Sequence, residues 1–144
     1  MKIALGADHK GYPLKEKIKR FLTERHDEVL DFGTDAEESC DFPDFGLKVA
    51  HAVADGIVDY GINICWTGNG MIMAANKVKG IRAGLCLNAE MAKLTRLHND
   101  ANVLSLASKY VPEEDALEIV ETFLTTDFEG GRHIQRLEKI AAEE

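Results

Sequence analysis

The chain has 144 residues, 45% of them hydrophobic and 29% charged, which suits one globular domain able to bury about two thirds of its unfolded surface. A net charge of −8 argues against a general nucleic-acid or anionic-membrane binder, while leaving room for a local pocket that takes a small anion. No apolar run approaches the ~20 residues needed to span a bilayer, no leader is expected before the first strand, and the three cysteines (Cys40, Cys65, Cys86) lack zinc-ligand spacing, so the expectation is a metal-free cytoplasmic protein.

Strand and helix signals alternate along the chain. Lys2–Ala7 reads as a first strand, followed by a helix with Leu14, Ile18, Phe21 and Leu22 on one face. Val29–Phe32 is a short second strand closed by Gly33, and a helix from about Asp44 to Asp55 buries Phe45, Val49 and Val53. Tyr60–Cys65 is the third strand; the Gly68–Gly70 turn opens a third helix, Met71 to Lys77. Ile81–Leu87, nearly all apolar, reads as a central parallel strand covered on both faces. A helix from Ala89 to His98 and a fifth strand, Asn102–Ala107, come next. Pro112 opens a helix with Ala116, Ile119, Val120 and Phe123 inward, and Gly130-Gly131 breaks the chain before a last helix, Arg132–Ala142. The order predicts a single α/β domain over residues 1–144: a three-layer αβα sandwich around a five-stranded, parallel, Rossmann-like sheet, with an extra C-terminal helix.

Ligands of such sheets bind beyond the carboxyl ends of the strands. Asp8-His9 and Cys65-Trp66-Thr67-Gly68-Asn69-Gly70 should share that edge. A strand that ends in a thiol and turns through glycines into a helix aims several N–H groups at one point, where an anion can sit and a thiol can become more acidic. The run is not a P-loop, since no Gly-Lys-Ser/Thr ending follows, and Met73 stands where a dinucleotide fingerprint needs its third glycine. An oxyanion or phosphate nest fits better than NAD.

Other groups carry a structural reading beside a functional one. Cys40 and Cys86 read as small buried hydrophobes, and His26 and His51 as surface residues. Asp8 and His9 can simply cap the first helix. His98 shares a helix face with Met91 and Leu94 and is expected to point inward. Arg132 and Arg136, one turn apart, either make salt bridges to Glu129 or a partner chain, or clamp a phosphate together with His133.

Taken together, Asp8-His9, Cys65-x-Thr67-Gly68-x-Gly70 with Ala74-Ala75-Asn76-Lys77, Gly80-Ile81-Arg82-Ala83, His98-Asn99-Asp100-x-Asn102-Val103-Leu104 and Gly130-Gly131-Arg132-His133-x-x-Arg136 resemble the type B ribose-5-phosphate isomerases, a family that includes the galactose-6-phosphate isomerase subunits. The resemblance covers nearly the whole chain in order and spacing. It implies aldose–ketose isomerisation of a sugar phosphate without metal or cofactor. By position it makes Cys65 the base that moves a proton between C1 and C2, and His98 the acid/base that opens the furanose ring. The hydroxyl of Thr67 and backbone amides from Trp66 through Gly68, Asn69 and Gly70, with Asn99, would hold the enediolate oxygens. Asp8 and His9 would contact substrate, and Arg132 and Arg136 would grip the phosphate.

The chain adds a geometric expectation. A helix after a parallel strand runs back down the sheet, so His98 should lie near the amino ends of the strands and Cys65 at their carboxyl ends, ~17 Å away. The prediction is a composite site across a homodimer, with pairing of dimers into tetramers left open. Two positions depart from the family pattern. Trp66, the only tryptophan, replaces the usual glycine, and Lys109 stands for an arginine that assists phosphate binding. An indole pointing inward would favour another four- to six-carbon sugar phosphate, or a non-catalytic phosphosugar-binding module, over ribose 5-phosphate.

Overall fold

The computed structural model describes residues 1–144. Its elements are β1 (Lys2–Ala7), α1 (Tyr12–Glu24), β2 (Glu28–Asp31), α2 (Phe42–Ala54), β3 (Tyr60–Cys65), α3 (Asn69–Ala75), β4 (Ala83–Leu85), α4 (Ala89–Asn99), β5 (Val103–Ala107), α5 (Glu113–Thr125) and α6 (His133–Ala141). All strand pairs are parallel, in the order β2-β1-β3-β5-β4. Because side chains alternate along a strand, Ile3, Leu5, Ile62, Ile64, Leu104 and Leu106 turn to one face under α1, α4 and α5. Ala4 and Val103 turn to the other, under α2 and α3. The result is the expected three-layer sandwich. No helix is long and apolar enough to cross a membrane.

The chain leaves β1 toward β2 on one side and returns to β3 on the other, so the topological switch falls between β1 and β3. Their carboxyl ends meet there: Ala7 pairs with Ile64, and the Asp8 N–H donates to the Ile64 carbonyl. The loops after β1 and β3 therefore flank one crevice.

The fourth strand corrects the expectation. It is three residues long, half-buried and at the edge of the sheet, not central. Ile81 and Cys86 are buried, but they lie outside the ladder. Its outer edge is closed by a side chain: the Asn76 carboxamide accepts from the Ala83 N–H at 2.8 Å and donates to the Ala83 carbonyl at 3.1 Å. An edge strand covered in this way is as apolar as a central one, so hydropathy does not separate the two. Smaller shifts concern β2, which begins and ends one residue earlier than predicted, and α2, which starts at Phe42 and leaves Phe45 only half-buried.

Candidate active site

β3 ends on Cys65, whose side chain is buried on the α2 and α3 side, the face to which Asn63 also turns. The chain then turns at Gly68, whose φ of +78° is a left-handed conformation in which a side chain is strained, and a Cβ there would stand 2.5 Å from Leu85 Cδ1. The buried Ser105 hydroxyl donates to the Gly68 carbonyl at 2.7 Å, so β5 holds the turn in place. α3 begins at Asn69. The amides of Trp66, Thr67, Gly68, Gly70 and Met71 donate to no other group of the chain, and Thr67 Oγ1 accepts only a long contact from the Asn69 N–H at 3.4 Å. The thiol therefore stands at the head of a run of unpaired donors, able to receive negative charge on an oxygen.

Asp8, buried at the end of β1, accepts the Lys10 and Gly11 N–H groups on Oδ1, both at 3.0 Å, which fixes its carboxylate and leaves Oδ2 free. His9 Nδ1 accepts the Cys40 N–H at 3.3 Å, with Cys40 Sγ at 3.7 Å. In that geometry the ring proton sits on Nε2, away from the loop. The Ser108 hydroxyl reaches both the Lys10 carbonyl (3.0 Å) and the Cys65 carbonyl (3.2 Å), and the Lys109 N–H donates to the Trp66 carbonyl at 2.9 Å. The loops after β1, β3 and β5 are thus tied together, and Asp8, His9, Cys65 to Gly70 and Lys109 form one group at the carboxyl edge. The Trp66 indole is 43% exposed and turns outward. Cys86 is different in kind: burial pushes its thiol up to about 12, out of reach of ordinary base chemistry.

His98, Asn99, Arg132 and Arg136 form a second group. Contrary to expectation His98 is not directed into the core: its side chain is 40% exposed, and Met91 and Leu94 on the same face are exposed too. The core side of α4 is occupied instead by Ala92 and by Arg96, whose guanidinium donates to the Thr126 and Ala101 carbonyls, Asp100 and the Tyr60 hydroxyl. His98 stacks on His133 with ring centroids 4.6 Å apart, and Glu129 lies 3.0 Å from His133 Nε2 and 4.0 Å from His98 Nε2. Arg132 caps α6 and Arg136 follows one turn later, both exposed.

The two groups do not meet within one chain. α4 starts beyond the carboxyl end of β4 and descends ~16 Å over its 11 residues. It ends where the Asn99 and Asp100 carbonyls accept from the Arg82 guanidinium, just before β4 begins. His98 is therefore at the amino edge, opposite Cys65. The two principal clefts of the single chain, ≈ 670 Å³ against Asn99 and α6 and ≈ 500 Å³ around Arg96 and Asp100, also lie away from Cys65. Sequence reasoning passed over Ser105, Ser108 and Lys10, and it offered Glu129 as a partner of Arg132 and Arg136, whereas Glu129 lies against His133 and His98. Only Ser105 had a signal: a hydroxyl inside the apolar run Val103-Leu104-Ser105-Leu106 needs a buried acceptor.

Residues 3–140 match the model of the ribose/galactose isomerase family. The chain is 50% identical to ribose-5-phosphate isomerase B of Escherichia coli over 98% of its own length and 95% of that protein's. It superimposes on the Clostridium thermocellum ribose-5-phosphate isomerase B with a TM-score of 0.98 and 55% identity, over 99% and 97% of the two chains. The Mycoplasma genitalium ribose-5-phosphate isomerase B, solved with bound ribulose-5-phosphate, is 42% identical with a TM-score of 0.94, over 99% and 95%. With nearly the whole length matched in sequence and in fold, the chain belongs to the ribose/galactose isomerase family.

Proposed function

We propose that the chain is an aldose–ketose isomerase that interconverts ribose 5-phosphate and ribulose 5-phosphate through an enediolate, in a homodimer whose sites draw on both subunits. The reaction moves protons with no net change of oxidation state, so a base, an acid and a receiver for oxyanion charge are what it requires. The observation that carries the proposal is the Cys65 sulfur at the head of the unpaired amides of Trp66, Thr67, Gly68, Gly70 and Met71.

Cys65, as thiolate, takes the proton from C2 of the open-chain aldose, and the electron pair moves onto the C1 oxygen. The amides and the Thr67 hydroxyl stabilise that oxygen, at ~3–4 kcal/mol for a well-placed donor. The same sulfur returns the proton to C1, while the C2 hydroxyl passes its proton to the negatively charged C1 oxygen, so that C2 becomes the ketone and C1 carries a hydroxyl. His98 of the second subunit moves a proton at the ring oxygen when the furanose opens. Asn99 adds a donor, Asp8 Oδ2 accepts from a sugar hydroxyl, and His9 donates from Nε2. Arg132 and Arg136 of the second subunit hold the phosphate with Lys109. The dimer is supported by the exposed apolar side chains Met91, Leu94, Ile134 and Ile140 along α4 and α6, the helices that carry the second group. The outward indole of Trp66 supports an open pocket over a blocked one. We take residues 1–144 as one domain, and the three free thiols support a reducing, cytoplasmic setting.

The test mixes two inactive variants. Cys65→Ala and His98→Asn should each lose ~100- to 10,000-fold in kcat. Co-refolded in equal amounts, they should regain roughly one quarter of native activity, because half the dimers are mixed and each of those keeps one intact site. A fully active Cys65→Ala variant, or a mixture as dead as its components, would overturn the proposal.

A further inference from the structure

At the mouth of the site Lys109 is joined by a second ammonium, that of Lys10. Lys10 Nζ stands 5.1 Å and Lys109 Nζ 5.7 Å from the centroid of the same ring, the indole of Trp66. Lys109 Nζ also lies 5.5 Å from the exposed ring of Tyr110. Neither ammonium has a carboxylate within ion-pair distance, so an aromatic ring is the charged group's nearest partner in both cases. Two like charges drawn to one ring repel each other; the electron-rich indole offsets part of that repulsion. It also satisfies the cations without using up their N–H donors, which a carboxylate would do. The backbone fixes the arrangement: Lys10 follows His9 directly, its carbonyl accepts from Ser108, and the Lys109 N–H is bonded to the Trp66 carbonyl.

We propose that Lys10 and Lys109, held over Trp66, receive the phosphoryl dianion of the sugar, with Lys10 as a further substrate-binding residue and Trp66 as the residue that positions both. The inference rests on the isomerase reading for its substrate, and on the lysine–indole geometry for its site. The indole stays outside the reacting carbons and acts on substrate capture alone. In this chain a pair of lysines on a ring takes the part that one planar guanidinium would otherwise play.

The experiment has two arms at fixed ionic strength. In the first, KM and kcat for ribose 5-phosphate are measured for the native chain, Lys10→Gln, Lys10→Arg, Trp66→Leu and Trp66→Phe. Lys10→Gln and Trp66→Leu should raise KM about tenfold with kcat within about twofold. Lys10→Arg and Trp66→Phe should recover most of the loss. In the second, inorganic phosphate is titrated against the fluorescence of Trp66, the only tryptophan. A saturable change is expected, with a midpoint about tenfold higher in Lys10→Gln. Lys2→Gln, which removes the same charge far from the site, should leave both arms unchanged. An unchanged KM in Lys10→Gln, a loss confined to kcat, or an equal effect of Lys2→Gln would overturn the proposal. If the native chain isomerises no sugar phosphate the functional reading fails, and the fluorescence arm still decides for or against the lysine pair.

Discussion

Lys15 is among the largest fully buried side chains of the molecule, with 1% of its side chain exposed. Its ammonium lies 2.6 Å from Asp31 Oδ2 and 3.1 Å from Glu16, and Lys19 reaches the same Asp31 oxygen at 3.0 Å. Asp31 Oδ1 accepts the Gly33 N–H, also at 3.0 Å. Burial alone would raise the Asp31 carboxyl, but the hydrogen bonds from Lys15, Lys19 and Gly33 outweigh it and hold the group below the usual aspartate value. Asp31→Asn keeps the shape and removes the charge that Lys15 faces. Breaking a buried pair costs ~3–5 kcal/mol; because Glu16 still reaches Lys15, the low end applies. With a urea m-value of ~2 kcal/mol/M, a loss of ~3 kcal/mol moves the unfolding midpoint down by ~1.5 M. Adding Lys15→Met removes the stranded cation and should restore at least about half of the loss. Because the folded carboxyl is depressed, its contribution is complete above the unfolded value of ~3.9 and disappears as pH falls through the lower folded value. The native chain should therefore lose stability below about pH 4 more steeply than Asp31→Asn. A midpoint shift under ~0.5 M, or a double variant weaker than Asp31→Asn alone, would refute the reasoning.

Three further outcomes follow from the site's supports. Ser105→Ala strips the Gly68 carbonyl of its buried donor and should cost ~1–3 kcal/mol in urea unfolding, with a fall in kcat as the turn loosens. Gly68→Ala meets both a positive φ and Leu85 Cδ1, so it should cost more than the ~1–2 kcal/mol of left-handed strain alone, read from thermal unfolding. Cys86, buried and with its thiol pushed up to about 12, should stay unmodified by iodoacetamide at about pH 8 until the chain is unfolded, as mass spectrometry can record.

The elements that build the crevice were legible because their signals are local. β1 and β3 run Lys2–Ala7 and Tyr60–Cys65 as predicted, each a short apolar run closed by polar or glycine residues. The positions of Asp8 and Cys65 at the same edge followed from that alone. β4 was misjudged because hydropathy reports burial and not which neighbour provides it; Asn76, seven residues upstream of Ala83, covers the strand where another strand was expected. His98 was misjudged for a related reason: Met91 and Leu94 form an apolar stripe, and a stripe left exposed on the helix reads the same in sequence as one turned to the core. Lys15 was invisible, since a lysine on an amphipathic helix is ordinarily solvated and Asp31, brought in by the strand pairing to join Glu16, makes its burial tolerable.

Asn76 has a consequence beyond β4. Its carboxamide occupies both hydrogen-bonding groups of Ala83, so no incoming strand can dock against that side of the sheet. At the opposite margin β2 is four residues long and begins and ends on acids, Glu28 and Asp31, a poor template for extension. Neither border of the sheet offers a ready template for strand addition, whereas Met91, Leu94, Ile134 and Ile140 leave apolar side chains exposed along α4 and α6.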